Sequence, residues 1–502
     1  MSTNSSTANP KLLGPEIENT GKTESPKNGF SNCSLTFWLA ITAVVLGGAF
    51  QFGYALGVVA NTMVVIQTKF NASDLYISAI VSGNSIGGLV GALLTGYIAD
   101  TLGRTRGIIL NVIPFVVGSI LMAASTHQGM LLVGRIVVGF GVGLSSGLTN
   151  IFLSEVAPVA VRGFVGMLFG VVLTVGTLVS LLISTADVMG TGDVGWRLVF
   201  AFPIFPALFQ TFVLLFCPEP PPYLAFNKQD TVAATTALQQ YRKIVVKEEE
   251  EGLAQCDTPA VLSLWQLLSH PGHRLALIIG IGLHSSQQLS AINVVMSYTP
   301  TIFDQANVSN TAMATIGTGL VNVASAAIAS LFTDRLGRRL LMLLGLMMTA
   351  VAHVSLAVSQ SCATGVWSCQ GDWNGKLAIA SVFLFIIGFA GSVGSIPWLI
   401  VNEITAPEAR GKTNSICVGI NWSWALVILL SYDSIVKALG SYTFFIFGGI
   451  AVLWFVFTLL LMPETRKKTV QEISRNIKAQ AEQSLPFVPF SNTTNRCERM
   501  GF

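Results

Sequence analysis

The chain has 502 residues, of which 52% are hydrophobic and 11% charged, with a formal net charge of +3. A soluble globular protein carries about 25% charged residues, so the composition excludes that class and describes a polytopic membrane protein. The small net charge gives no reason to expect a nucleic-acid partner, and the seven cysteines form no metal-ligand cluster.

Residues 1–34 are polar, rich in Ser, Thr, Asn, Pro and Gly, and lack the apolar core and cleavage site of a signal peptide. They are expected as a mobile cytoplasmic tail. Apolar stretches of spanning length follow near 37–64, 76–99, 107–125, 129–152, 164–186 and 197–217. A polar stretch, 218–272, contains Arg242, Lys243, Lys247 and the acidic run Glu248–Glu251. It is too charged to span and is expected as short helices on the membrane surface. Six more apolar stretches lie near 273–303, 311–333, 339–359, 376–402, 412–437 and 441–462. The tail, 463–502, is charged and then Ser/Asn-rich. The expected fold class is an all-α membrane protein of twelve transmembrane helices. They form two six-helix bundles, 35–217 and 273–462, joined by a cytoplasmic helical linker.

The two halves repeat. Glu155 precedes Arg162-Gly163 by seven residues, and Glu403 precedes Arg410-Gly411 by the same spacing. Gly103-Arg104 after Asp100 is echoed by Gly337-Arg338 after Asp334. Pro218-Glu219 closes the first set of spans and Pro463-Glu464 the second. Such pairing indicates a duplicated half of parallel topology, related about an axis along the membrane normal.

Basic residues set the orientation. With both termini cytoplasmic, all but five of the 28 Lys and Arg fall inside. Lys69, Arg197, Lys376 and Lys437 fall outside, and Arg135 lies within the fourth span. The sequons at Asn71 and Asn307 would then be outside and open to glycosylation. Those at Asn4, Asn32 and Asn492 would be inside, and Asn421 within a span. Cys362 and Cys369 share a polar loop, either as a disulfide or as two free thiols.

The seventh span is apolar yet holds Gln287, Gln288, Ser290 and Asn293. Amides in hydrocarbon are costly unless they meet each other or a polar ligand. Each offers donors and an acceptor, which suits a neutral polyol better than charged groups do. The competing reading is that they hold helices together. Glu155, Arg162, Glu403, Arg410, Asp334, Arg338, Glu219, Glu464 and Arg104 read as a cytoplasmic charge lattice. Ion pairs between the halves would close the inner side; otherwise these residues are positive-inside anchors. Pro300 and the glycines around Gly391–Gly394 are expected to bend the seventh and tenth spans. No phosphate-binding loop, cofactor motif or Ser/His/Asp constellation is evident, so an enzyme is not expected and no cofactor is implied.

Several further motifs join these: Gly134-Arg135, Gln287-Gln288-Leu289-Ser290 with Asn293, Asp334 to Arg339, Ile396-Pro397-Trp398, Asn421-Trp422 and Pro463-Glu464-Thr465. Together, from about Phe37 to Ile473, the chain resembles the sugar-porter branch of the major facilitator superfamily, and within it the animal facilitative hexose transporters. The resemblance implies alternating access around a central sugar site, in a multi-pass protein of the plasma membrane for which a monomer is sufficient and whose oligomeric state is left open. It implies substrate contacts from Gln287, Gln288, Asn293, Asn322, Trp398 and Asn421, and closure of the outer side by Tyr298. Trp398 also reads as an interfacial anchor, and Tyr298 as a core aromatic. Gly170 stands where the family has a glucose-contacting Gln, and Ala390 where it has a Glu. Proton-coupled relatives carry an Asp after their Phe-Gly-Tyr; here Phe52-Gly53-Tyr54 is followed by Ala55, which argues for passive uniport. The implied substrate is a hexose, glucose first. The alternatives are a polyol, fructose or dehydroascorbate, proton symport, and a non-transporting sugar sensor.

Overall fold

The computed structural model describes residues 29–158, 161–185, 194–245, 263–368, 373–466, 472–473, 475 and 477. The first span is α1 (Leu35–Val44), a π-helical turn (Val45–Phe50) and α2 (Gln51–Phe70). Then come α3 (Asp74–Leu102), a third span made of α4 (Arg104–Leu110) and α5 (Val112–Ala123), α6 (Gln128–Val156), α7 (Arg162–Ile183), and a sixth span made of α8 (Gly195–Ala201) and α9 (Ile204–Leu214). The linker holds α10 (Thr231–Tyr241) and α11 (Leu264–Ser269); Lys247 and Glu248–Glu251 lie outside the described residues. The second half comprises α12 (Pro271–Leu289) with α13 (Ile292–Gln305), then α14 (Thr311–Leu336) and α15 (Arg338–Ala363). The tenth span is α16 (Asn374–Gly388), a π turn (Phe389–Val393) and α17 (Ile396–Ile404), followed by α18 (Pro407–Leu439) and α19 (Thr443–Leu461). Eleven apolar helical stretches are long enough to cross a membrane, and the last, 53 residues long, holds both α18 and α19. That makes twelve spans.

The repeated motifs are one object built twice. Gly103 at φ 106° and Gly337 at φ 93° turn the chain between spans in a conformation that favours glycine. The helix that restarts after each has first-turn N–H groups without helical partners. Glu219 accepts from Thr105 N at 2.9 Å and Arg106 N at 3.1 Å. Glu464 accepts from Arg338 N at 3.1 Å and Arg339 N at 3.2 Å. A carboxylate there also meets the positive end of the helix dipole. Arg104 then reaches Glu155, and Arg338 reaches Glu403, both at 3.1 Å. All of this lies at the terminal face, where α1 begins and α19 ends.

Two spans are broken at the same depth. Between α12 and α13 the chain turns at Ser290–Ala291, with Ala291 in the left-handed region at φ 62°. Pro300 is not the bend: α13 runs through it, and the Thr299 hydroxyl turns back to Val295 O. The freed Ser290 carbonyl is met by His353 Nε2 of α15 at 2.9 Å. Because a carbonyl only accepts, Nε2 is the protonated nitrogen. The imidazole is buried among Phe385, Phe444 and Phe447. The tenth span breaks as expected near its glycines, and Pro397 sharpens the break. Lacking an N–H, Pro397 cannot meet Val393 O four residues back.

The N-terminal tail was expected to run free to residue 34, but its end is tied down. Lys243 N bonds Asn32 O at 2.8 Å, and Ser34 Oγ bonds Gln240 O at 2.5 Å while capping α1 through Phe37 N. These bonds satisfy backbone groups on both the tail and the linker. Cys362 is disulfide-bonded; Cys369 lies outside the described residues.

His353→Phe keeps an aromatic ring in place but leaves the Ser290 carbonyl without a donor. The expected cost is about 1–3 kcal/mol, read as a lower thermal unfolding midpoint of the purified protein with helical content unchanged.

Candidate functional site: an amide chain at mid-membrane

Gln287 and Gln288 end α12, Asn293 begins α13 and Asn421 lies in mid-α18. The break at Ala291 means that no single helical face aligns them; the turn folds them together instead. Asn293 Nδ2 donates to Gln288 Oε1 at 2.6 Å, and Gln288 Nε2 donates to Asn421 Oδ1 at 2.9 Å. Asn421 Nδ2 donates to Gln287 Oε1 at 2.7 Å and to His284 O at 3.2 Å. Gln287 Nε2 donates to Gly394 O at 2.6 Å and to Val393 O at 3.2 Å. The amide of Gln287 thus replaces the N–H that Pro397 lacks.

This chain sorts the four amides by capacity. An Asn or Gln side chain has two N–H donors and one two-lone-pair acceptor. Gln287 and Asn421 are buried, at 4% and 2% exposure, and have spent both donors on protein partners. Gln288 and Asn293 are half-exposed. Each keeps one N–H, and Asn293 also keeps its carbonyl oxygen. Buried interhelical glue and an open polar edge therefore coexist in one network. Asn322 of α14 is 8% exposed, and its side chain bonds to nothing among the described residues, so its amide remains available. Trp398 of α17 is half-buried and meets the edge of His284, with ring centroids 4.9 Å apart. The imidazole of His284, one turn below Gln288, is buried with neither nitrogen hydrogen-bonded. Sequence reasoning passed over it, though a histidine in an apolar span was a visible signal.

A Cβ built on Gly170 of α7 would meet nothing within 4 Å, and Gly163 and Gly166 are equally open. Ala390 lies half-buried in the π turn of the tenth span. Arg135 of α6 is buried and reaches Ala55 O at 3.0 Å, Ile80 O at 3.3 Å and Val81 O at 3.5 Å. No carboxylate pairs with it among the described residues. Gln51 beside it is buried, with neither amide atom bonded.

The ion pairs differ from the expected lattice. Arg104–Glu155 lies within the first half and Arg338–Glu403 within the second; none at the terminal face joins the halves among the described residues. Glu155 and Glu403 lie close to helix starts in their own half, which offer nearer partners than the facing bundle. Arg162 is exposed and makes no ion pair among the described residues, Arg410 is half-buried and partnered, and the side chain of Asp334 lies outside the described residues. The halves meet instead from mid-membrane to the opposite face. There α3 packs on α18, α7 on α14 and α2 on α13. Trp422 of α18 stacks on Phe52, 5.6 Å between centroids, and fills the place a side chain at Gly88 would need. Tyr298 packs on Tyr432 at that face, 4.8 Å between centroids. Asn71 and Asn307 are both exposed there, in left-handed turns after α2 and α13.

Two bundles of six spans around polar side chains at mid-depth are the architecture of a membrane transporter of the major facilitator type. Residues 39–477 match the family described as "Sugar (and other) transporter". The chain is 32% identical to human solute carrier family 2, facilitated glucose transporter member 4, over 88% of this chain and 90% of that protein. It is 33% identical to facilitated glucose transporter protein 1 of Caenorhabditis elegans, over 91% and 94% respectively. Among solved structures it is similar to the inward open conformation of the xylose transporter XylE from E. coli, with TM-score 0.70, 24% identity, and coverage of 88% of this chain and 99% of that one. The chain belongs to the sugar transporter family of the major facilitator superfamily.

Asn421 is the node of the amide chain, with three bonds to Gln287, Gln288 and His284. Asn421→Leu strands the two glutamines and is expected to cost about 2–3 kcal/mol. Gln288→Leu, at the open edge, is expected to cost less. Thermal unfolding of the two variants side by side checks the order.

Proposed function

We propose that this protein is a facilitative uniporter of a neutral hexose, glucose first among candidates, working by alternating access in the plasma membrane. The observation that carries the substrate class is the amide chain with its open edge. Gln288, Asn293 and Asn322 offer uncharged donors and an acceptor, and sugar hydroxyls need both. Trp398 adds an apolar face with one N–H, suited to the flat side of a pyranose. The buried Gln287 and Asn421 hold that edge in place rather than spend their donors on ligand. With no polar group from Gly170 or Ala390, recognition rests on the second half.

Passive transport is supported by Arg135. Proton pumps and symporters use a mid-membrane carboxylate that loads and unloads a proton. Arg135 meets three carbonyls, one of them from Ala55, and no acid among the described residues. On this reading the terminal face is cytoplasmic, the open space beside Gly166 and Gly170 is the inner vestibule, and a single chain suffices. Positioning Asn71 and Asn307 outside agrees with the basic-residue bias.

Gln288→Ala and Asn293→Ala are each expected to abolish saturable hexose uptake in proteoliposomes while expression stays normal; unchanged kinetics would remove the site. Uptake by the wild type is expected to survive collapse of a proton gradient, and its loss would make the protein a symporter. Asn71→Gln and Asn307→Gln, expressed in eukaryotic cells, are each expected to lose one glycan on a gel.

A further inference from the structure

The opposite face carries polar contacts between the halves that the sugar site does not use. Asp433 of α18 accepts a hydrogen bond from Ser78 Oγ of α3. One turn further along α18, Lys437 Nζ lies 2.6 Å from Asp74 Oδ2 at the start of α3. Gln67 Nε2 of α2 holds the other oxygen of Asp74 at 2.8 Å. Tyr298 and Tyr432 pack together beside Asp433, and the buried Tyr298 hydroxyl lies next to Asp433 and Ser78. Asp433 stands in a membrane helix, where a carboxylate is costly and needs a role. Ser78, 1% exposed, comes from the other half.

We propose that Ser78–Asp433, supported by Asp74–Lys437, is the latch that holds the opposite face shut and sets the balance between the two access states. The proposal rests on the alternating-access reading. The two contacts are unequal. Asp74 and Lys437 are both exposed, so their pair contributes little. Ser78–Asp433 is sheltered, and its acceptor is a carboxylate, which makes the stronger class of hydrogen bond. When the face opens, both groups regain water, so the latch costs little to release. It therefore biases the equilibrium without locking it. The Arg104–Glu155 and Arg338–Glu403 pairs at the terminal face lie within each half and do not have to break in this movement.

The test uses the full chain in proteoliposomes, with KM measured from each side. Ser78→Ala and Asp433→Ala are expected to lower KM at the opposite face and raise it at the terminal face. The ratio should change about fivefold, the worth of one hydrogen bond. Ser78→Thr restores the wild-type ratio, and the double Ala variant shifts it no further than either single one. Normal flux with an unchanged ratio in both single variants overturns the latch. Should these variants misfold, Asp74→Cys with Lys437→Cys provides a second route. Oxidation is expected to stop flux and reduction to restore it; full flux while oxidised overturns the proposal. A wild type without saturable flux speaks against transport itself. The latch is then judged by labelling Tyr298→Cys with an impermeant thiol reagent from the opposite face. Labelling should be faster with Ser78→Ala, and an equal rate overturns the proposal.

Discussion

A backbone carbonyl released in the middle of a bilayer has no water to turn to and must find a protein donor. Two such carbonyls organise the second half. One is freed at Ser290, where Ala291 breaks the seventh span, and His353 meets it. The other, at Val393, is freed by Pro397, and Gln287 meets it. With its donors committed, Gln287 leaves its oxygen to Asn421. Asn421 in turn orients Gln288, and Gln288 takes Asn293. The open polar edge is thus the far end of a chain that begins as backbone repair. A side chain fixed in this way is preorganised, which spares the ordering cost when a ligand binds.

The duplication gives each half its own rigid foot. A glutamate caps the helix that restarts after a glycine turn, and an arginine from that helix reaches a second glutamate. Because these contacts close within a half, they stiffen a bundle rather than join two. The two bundles touch each other through aromatic contacts such as Trp422 on Phe52 and the polar pairs near Asp433. The halves differ in their polar content. The second carries the amide chain. The first carries open glycines in α7 and, inside its own bundle, a buried arginine whose partners among the described residues are backbone carbonyls.

Much of this was legible in the chain. Apolar runs of spanning length, interrupted by one charged stretch, are a direct consequence of hydrocarbon as solvent, so twelve spans could be counted. The paired Gly-Arg, Glu and Pro-Glu motifs announced the duplication, and amides in an apolar run marked the candidate site. Other features were hidden. Pro300 looked like the hinge, yet the left-handed residue was an alanine with no local signature. Glu155 and Arg162 looked like partners across the halves because spacing says nothing about which neighbour is nearer. Asp433 was visible as an acid in an apolar run, but its meaning depends on Ser78, distant in sequence.

By itself, then, the sequence determined the membrane-spanning class, the doubled half and the residue types of the candidate site. Hydropathy, repeated motifs and residue type are local properties and survive without coordinates. The tertiary structure decided which amides are committed and which stay open, where the seventh span breaks, and on which face the halves are fastened. Those outcomes depend on how many donors and acceptors meet at one point in space. That count is fixed by contacts such as Gln287 with Val393, Asn421 with Gln288 and Ser78 with Asp433.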